Sequence, residues 1–248
     1  MILAAGLGTR LKPLTDSIPK ALVEVDGVPM LERVIIKLKE EGFSKIFINV
    51  HHFARQVTDF LTSRNFGIEL TVSDESEALL DTGGGIAKAA PLLFKDDRRP
   101  VLFHNVDILS NASLKDVIAS SMEEQTGGTL LVSERDSSRR LIFDKEKRLR
   151  GWHDIKNGKY RPEGFVPSSE DSEYAFSGIY SLGQEAVEEM KRLNGEGKYS
   201  VMDYFLHPGR KELLKGMVDK NLRLLDIGKP ATLAQAPVLL KSLLINSN

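Results

Sequence analysis

The sequence predicts an α/β fold, a single three-layer domain over residues 1–248 in which helices cover both faces of a mostly parallel sheet. Three observations lead there. Segments of strand and helix periodicity alternate from the first residue onward, the pattern of β-α-β units. Several strand segments, such as Lys45–Val50 (Lys-Ile-Phe-Ile-Asn-Val), are almost unbroken apolar runs, as strands covered on both faces must be. The stretch 134–172 departs from both patterns: it is dense in charge and carries two hairpin signals, Asp144-Lys-Glu-Lys147 and Asn157-Gly158. It reads as an antiparallel excursion from the sheet.

Taken in order, Met1-Ile-Leu-Ala-Ala5 is a short buried strand that breaks at a glycine-containing loop. Residues 21–29 are extended around an Asp26-Gly27 turn and deliver a helix from about Pro29. In it Leu31, Val34, Ile35 and Leu38 recur at i, i+3, i+4 and i+7, and Gly42 is the stop. After the strand 45–50, Phe53, Val57, Phe60, Leu61 and Arg64 outline a second helix. Ile68, Leu70 and Val72 then alternate with Glu69 and Thr71 as a strand. Asp81-Thr-Gly-Gly-Gly-Ile86 leads into an apolar helix, and 101–107 (Val-Leu-Phe-His-Asn-Val-Asp) is a central strand ending in a carboxylate. Ser113 and Asp116 have the spacing of a capping box for the next helix, and 128–133 is one more strand. Beyond the excursion, 173–182 returns to the core around Phe176-Ser-Gly-Ile-Tyr180. A helix near 184–193 follows, then a shorter one over 201–206 capped by Ser200. Strands over 213–218 and 222–227 precede a terminal helix beginning near Pro230.

Composition narrows the function classes. With 41% hydrophobic and 28% charged residues and a net charge of −1, the chain is globular, and nothing favours nucleic acid or a membrane as its main partner. The absence of cysteine excludes disulfides, zinc–thiolate sites and thiol catalysis. Met1 runs into the first strand without a basic leader, so a cytoplasmic enzyme is expected.

The chemistry concentrates in the first twenty residues. The loop holding Gly6, Gly8, Thr9 and Arg10 suits phosphate: small residues let backbone N–H groups approach an anion, and Arg10 offers a fork of donors. Lys20 adds a second fixed positive charge, with Pro13 and Pro19 stiffening the path. The dinucleotide fingerprint is excluded because position 11 is Leu, and the P-loop because Gly-Lys-Ser/Thr is absent. The stretch reads as an NTP-binding arm. The Gly6–Arg10 loop, Thr82–Gly85, Asp107 and Asp226 all follow predicted strands, so they are expected on one rim. Two carboxylates beside a phosphate loop point to Mg²⁺. No Ser-His-Asp, Cys-His or His-Glu-x-x-His arrangement can be assembled, so the site looks built to position and neutralise phosphates. His51, His52 and His104 are read as loop, rim or core residues.

These residues resemble the sugar-phosphate nucleotidyltransferases. Leu3-Ala-Ala-Gly-Leu-Gly-Thr-Arg-Leu-Lys-Pro-Leu-Thr15 with Pro19-Lys20-Ala-Leu22 is similar to that family's opening signature. Asp81-Thr-Gly-Gly-Gly-Ile86, Asn105-Val-Asp107, Phe176-Ser-Gly-Ile179 and Asp226-Ile-Gly228 follow in its order. The likeness is greatest to the N-acetylmuramate 1-phosphate uridylyltransferases of cell-wall sugar recycling. It implies a Rossmann-like fold and the condensation of an NTP, expected to be UTP, with N-acetylmuramate or a hexose 1-phosphate, giving NDP-sugar and pyrophosphate. It assigns nucleotide binding to Ala5, Gly6, Gly8, Thr9, Arg10, Lys20, Thr82, Gly83 and Gly84, and sugar binding to Asn105 and Gly178. It assigns catalysis to Arg10, Lys20 and Asp107, and Mg²⁺ to Asp107 and Asp226. Val106 and Lys229 depart from the family's usual residues. A monomer or small homo-oligomer is expected. Two other readings stay open: a non-catalytic nucleotide-sugar-binding regulator, and a transferase for an acceptor such as phosphocholine, for which Trp152, Tyr160 and Phe165 would supply aromatic rings.

Overall fold

The computed structural model describes residues 1–95, 97–123 and 126–244. Its strands are β1 (Ile2–Leu3), β2 (Glu24–Val25), β3 (Val28–Pro29), β4 (Lys45–Val50), β5 (Glu69–Asp74), β6 (Val101–Asn105), β7 (Ile108–Ser110), β8 (Gly128–Ser133), β9 (Arg139–Phe143), β10 (Leu149–Asp154), β11 (Lys159–Arg161), β12 (Ser172–Leu182), β13 (Leu214–Val218) and β14 (Leu224–Asp226). Its helices are α1 (Met30–Glu40), α2 (Ala54–Thr62), α3 (Asp81–Leu93), α4 (Leu114–Glu123), α5 (Gln184–Asn194), α6 (Val201–Phe205) and α7 (Pro230–Leu244). The α/β class read from the sequence is the class found. The described residues form two compact units, the first within 1–79, 104–115 and 222–244, the second within 80–103 and 116–221.

In the first unit β1 lies between β4 and β6, with β5 beyond β4, and every pairing is parallel. The apolar run of β4 is buried from Ile46 to Val50, as a strand with both faces covered requires. α1 buries Leu31, Val34, Ile35 and Leu38, each contributing about 1.5–3 kcal/mol by leaving water. Gly42, at φ 86°, ends it as expected. Asp26 and Gly27 both have positive φ, which lets the β2–β3 hairpin turn in two residues. β7 and β14 form a separate antiparallel ribbon.

In the second unit β12 pairs antiparallel with β9 through its first residues and with β8 further on, and β13 runs parallel to β8. The 134–172 segment is the antiparallel excursion that its charge and turns imply, with β9 paired to β10 and β10 to β11. The Ser200 cap is present, its hydroxyl accepting from the Met202 N–H while Asp203 accepts from the Ser200 N–H.

One local reading is corrected. The first free N–H groups of α4, those of Leu114 and Lys115, donate to the Glu41 carboxylate from the end of α1, and the Ser113 hydroxyl makes no bond. A full negative charge at a helix N-terminus outcompetes a neutral hydroxyl.

His104 is buried in β6, and burial pushes its imidazole pKa down from 6.5 to about 4. Between those values the unfolded chain binds more protons than the folded one, so stability is complete above about pH 6.5 and is lost as pH falls toward 4. Urea unfolding across that window should show a loss of up to roughly 3 kcal/mol, and His104→Gln should flatten the slope whatever its effect at neutral pH. An unchanged slope would place the titration elsewhere.

Candidate active site

The loop after β1 is folded back on the segment that follows it. Gly8 is left-handed at φ 66°, and a Cβ there would lie 2.8 Å from Thr15 Cγ2 and 3.0 Å from Lys20 Cβ. The position therefore needs glycine for conformation and for space. The buried Thr15 hydroxyl donates to the Gly8 carbonyl at 2.8 Å, and the Leu11 N–H donates to the same oxygen at 2.8 Å, making a 3-10 turn over Thr9–Leu11. Gly6, Thr9 and Arg10 are left exposed, whereas Ala5, two residues past the strand, is buried.

The β7–β14 ribbon brings the two aspartates together. Asp226 pairs with Ile108 in register, so Asp107 and Ile227 come next along the two strands, and the Ile227 N–H donates to the Asp107 carbonyl at 2.9 Å. The chain then turns at Gly228, whose N–H donates to Asp226 Oδ1 at 3.0 Å. A Cβ on Gly228 would meet Asp107 Oδ2 at 2.5 Å, Arg10 Nη2 at 2.7 Å and Asp226 Oδ1 at 3.0 Å. Two carboxylate oxygens and a guanidinium thus surround one point that only a glycine leaves open. Lys20 Nζ contacts Asp107 Oδ2, which neutralises a carboxylate on a side chain only 11% exposed. Lys229 Nζ is 3.9 Å from Asp226 Oδ2 on the exposed side. Val106 is a core residue, its N–H donating to the Leu3 carbonyl at 3.2 Å.

Gly8, Arg10, Lys20, Asp107 and Asp226 are therefore one constellation in the first unit, and Asn105 is half-buried at the end of β6, paired in register with Leu3. The oxygen donors of Asp107 and Asp226 fit a small hard dication that completes its shell with phosphate and water. Among the described residues no three His, Asp or Glu side chains form a metal cluster by themselves.

Thr82, Gly83, Gly84 and Gly178 belong to the second unit. Thr82–Gly85 does not follow a strand directly; it is the first turn of α3. Its polar groups are engaged within the unit: the Gly83 and Gly84 N–H groups donate to the Tyr199 carbonyl at 2.9 and 3.2 Å, and Thr82 Oγ1 accepts from the Val201 N–H at 2.9 Å. A Cβ on Gly84 would run into the Gly197 carbonyl, and one on Gly83 into the Tyr199 ring. Gly178, at φ 77°, sits where the β12–β8 register shifts. In the excursion, Tyr160 stacks on His153 at 4.2 Å, and the Arg150 guanidinium lies 5.8 Å over Phe165. Those rings already have partners within the chain.

Sequence reasoning passed over three residues of the first unit. Thr15 stood inside the opening run without a role. Asn49, the one polar residue within the apolar part of β4, and Glu75, a charge just past β5, are both buried; a polar side chain in such a run is the signal that marks them.

The nucleotidyl transferase family model matches residues 1–241. The chain belongs to the nucleotidyl transferase family. An N-acetylmuramate alpha-1-phosphate uridylyltransferase of Neisseria meningitidis serogroup B is 36% identical over 178 residues, which is 66% of this chain and 76% of that protein. The protein of the same name from Caulobacter vibrioides is 41% identical over 110 residues, 43% of this chain and 44% of its own. Among solved structures, HddC from Yersinia pseudotuberculosis superposes with a TM-score of 0.74 at 25% identity, covering 96% of each chain. Curated relatives are named as uridylyl- and guanylyltransferases of sugar 1-phosphates, and the chain is an enzyme of the nucleotidyltransferase class. Enzymes of the family bind a nucleotide and a sugar phosphate and typically use a divalent metal. Among the described residues no helix is long and apolar enough to cross a membrane.

The two loop glycines should respond differently to a methyl group. Gly8→Ala should cost roughly 1–3 kcal/mol of stability, because the left-handed backbone and the contact with Thr15 both oppose it. Gly6→Ala, whose Cβ would meet nothing within 4 Å, should unfold with the wild type. Thermal unfolding of the two variants side by side checks this, and equal effects would contradict the loop geometry.

Proposed function

We propose that the chain works as one cytoplasmic nucleotidyltransferase domain that condenses UTP with a sugar 1-phosphate, N-acetylmuramate 1-phosphate or a hexose 1-phosphate, giving UDP-sugar and pyrophosphate. The observation that carries this reading is the placement of Arg10, Asp107 and Asp226 around one open point, with Lys20 on Asp107, beside an exposed glycine loop. The choice of uridylyl transfer is supported by the names of the Neisseria and Caulobacter relatives.

In this reading the backbone of Ala5, Gly6, Gly8 and Thr9 cradles the triphosphate, and Arg10 neutralises the pyrophosphate as it leaves. Lys20 exchanges its contact with Asp107 for the α-phosphate and the incoming phosphate, so its charge is already aimed where negative charge gathers. An oxygen of the sugar phosphate forms the new bond to the α-phosphorus, in line with the α–β bridging oxygen, which departs with pyrophosphate. Asp107 and Asp226 would hold Mg²⁺. Bound there, the ion offsets the charge on both reactants and favours in-line geometry. By the family resemblance Thr82, Gly83 and Gly84 are assigned to the base, and Asn105 and Gly178 to the sugar.

Incubation with each NTP and a panel of sugar 1-phosphates, read as pyrophosphate release, should give turnover with UTP and one sugar above the rest. Release with no pair would overturn the reading. Asp107→Asn should lower turnover by two orders of magnitude or more, about 3 kcal/mol, beyond whatever stability is lost with the Lys20 pair, so the rate is measured on protein shown by its circular dichroism to be folded. An unaltered rate would remove Asp107 from the chemistry.

A further inference from the structure

The loop that opens the site is anchored from inside the first unit by two buried side chains that the proposed chemistry leaves unused. β1 is two residues long, and its last pairing places Leu3 beside Asn49 of β4. At Ala4 the chain leaves the sheet, and the Ala4 N–H donates to the side-chain Oδ1 of Asn49 at 2.7 Å, a buried bond. The amide nitrogen of Asn49 in turn donates to Glu75 Oε1 at 2.7 Å, also buried. Glu75 is fully buried just past β5. Its own N–H donates to the Val50 carbonyl at 2.7 Å, and its carbonyl meets His51 Nδ1 at 2.7 Å.

The arrangement has a direction. An asparagine amide offers an acceptor on one side and donors on the other. The Ala4 N–H can only donate, so it takes the amide oxygen, and the amide nitrogen is left to donate to Glu75 Oε1. A flipped amide would set donor against donor at Ala4 and oxygen against oxygen at Glu75, leaving buried polar groups unpaired. The three strand ends are therefore stitched in one line, Ala4 to Asn49 to Glu75, where the glycine loop departs.

We propose that Asn49 and Glu75 are positioning residues for nucleotide binding: they set the path of the chain at Ala4 and hence the placement of the Ala5–Arg10 backbone against the triphosphate. This rests on the reading of that loop as the nucleotide arm. Neither side chain touches substrate; both act through the Ala4 N–H. A loop displaced by about an ångström loses well-aligned N–H contacts to phosphate, and that loss falls on the nucleotide rather than on the sugar phosphate.

The test compares Asn49→Leu, Glu75→Leu and Glu75→Gln, with KM measured for NTP and for sugar 1-phosphate separately and NTP binding measured by calorimetry. Asn49→Leu and Glu75→Leu should raise KM for NTP by about tenfold or more and leave KM for the sugar phosphate within about twofold. Glu75→Gln, which keeps an acceptor for the Asn49 amide, should stay within about threefold of wild type. Should Asn49→Leu fail to fold, Asn49→Ser and the Glu75 pair carry the same comparison. Folded variants with lower melting temperatures but unchanged NTP affinity would make the pair merely structural and overturn the proposal. A wild-type protein that binds no NTP would overturn the nucleotide-arm reading itself, and this proposal with it.

Discussion

The hydrogen bond from the Ile227 N–H to the Asp107 carbonyl closes the β7–β14 ribbon, and the candidate site depends on that closure. The ribbon has only three residues in each strand, yet it joins carboxylates from distant parts of the chain at one point. Short antiparallel pairs are weak by themselves. This one has buried side chains in Ile108, Leu109 and Leu225, so apolar burial holds what the backbone bonds align. Gly228 completes the device by leaving empty the space its side chain would fill, with oxygens of both aspartates turned toward it.

Charge balance follows from that geometry. Asp107 is almost fully buried, and a carboxylate in such a place requires a partner. Lys20 supplies it through a chain path pinned by Thr15 on Gly8, so the glycine loop and the carboxylate pair are built as one object. The cost of burying these charges is offset only while they remain paired, and under the proposed function Lys20 exchanges partners when a polyphosphate arrives. The Asn49–Glu75 pair serves the same end from the interior, by fixing where the loop begins.

Much of this was legible in the sequence wherever local periodicity or turn chemistry decides structure. The heptad-like spacing of Leu31, Val34, Ile35 and Leu38, the apolar run of β4, the Asp26-Gly27 hairpin and the two turns of the excursion are local signals, and the structure follows them. The opening loop and the two aspartates were visible because each lies at a strand end. Illegible were interactions between residues far apart in sequence. Glu41 displaces Ser113 as the partner of the α4 N-terminus because a carboxylate from another helix reaches it. Two glycines of α3, Gly83 and Gly84, make room for the Tyr199 ring and the Gly197 carbonyl, a contact more than a hundred residues away that their own segment does not specify. A glycine in a sequence announces close approach without saying what approaches.

The measurement that bears most directly on the account is Mn²⁺ binding, followed by electron paramagnetic resonance with a non-hydrolysable UTP analogue present, for wild type, Asp107→Asn, Asp226→Asn and the double variant. If both carboxylates serve one ion, the wild type should bind it with each single substitution weakening affinity by about tenfold or more. The double variant should be far less impaired than the product of the singles, since the two act as a unit. Wild-type affinity in Asp226→Asn would contradict the account, because the ribbon would then bring together two carboxylates that share no ligand.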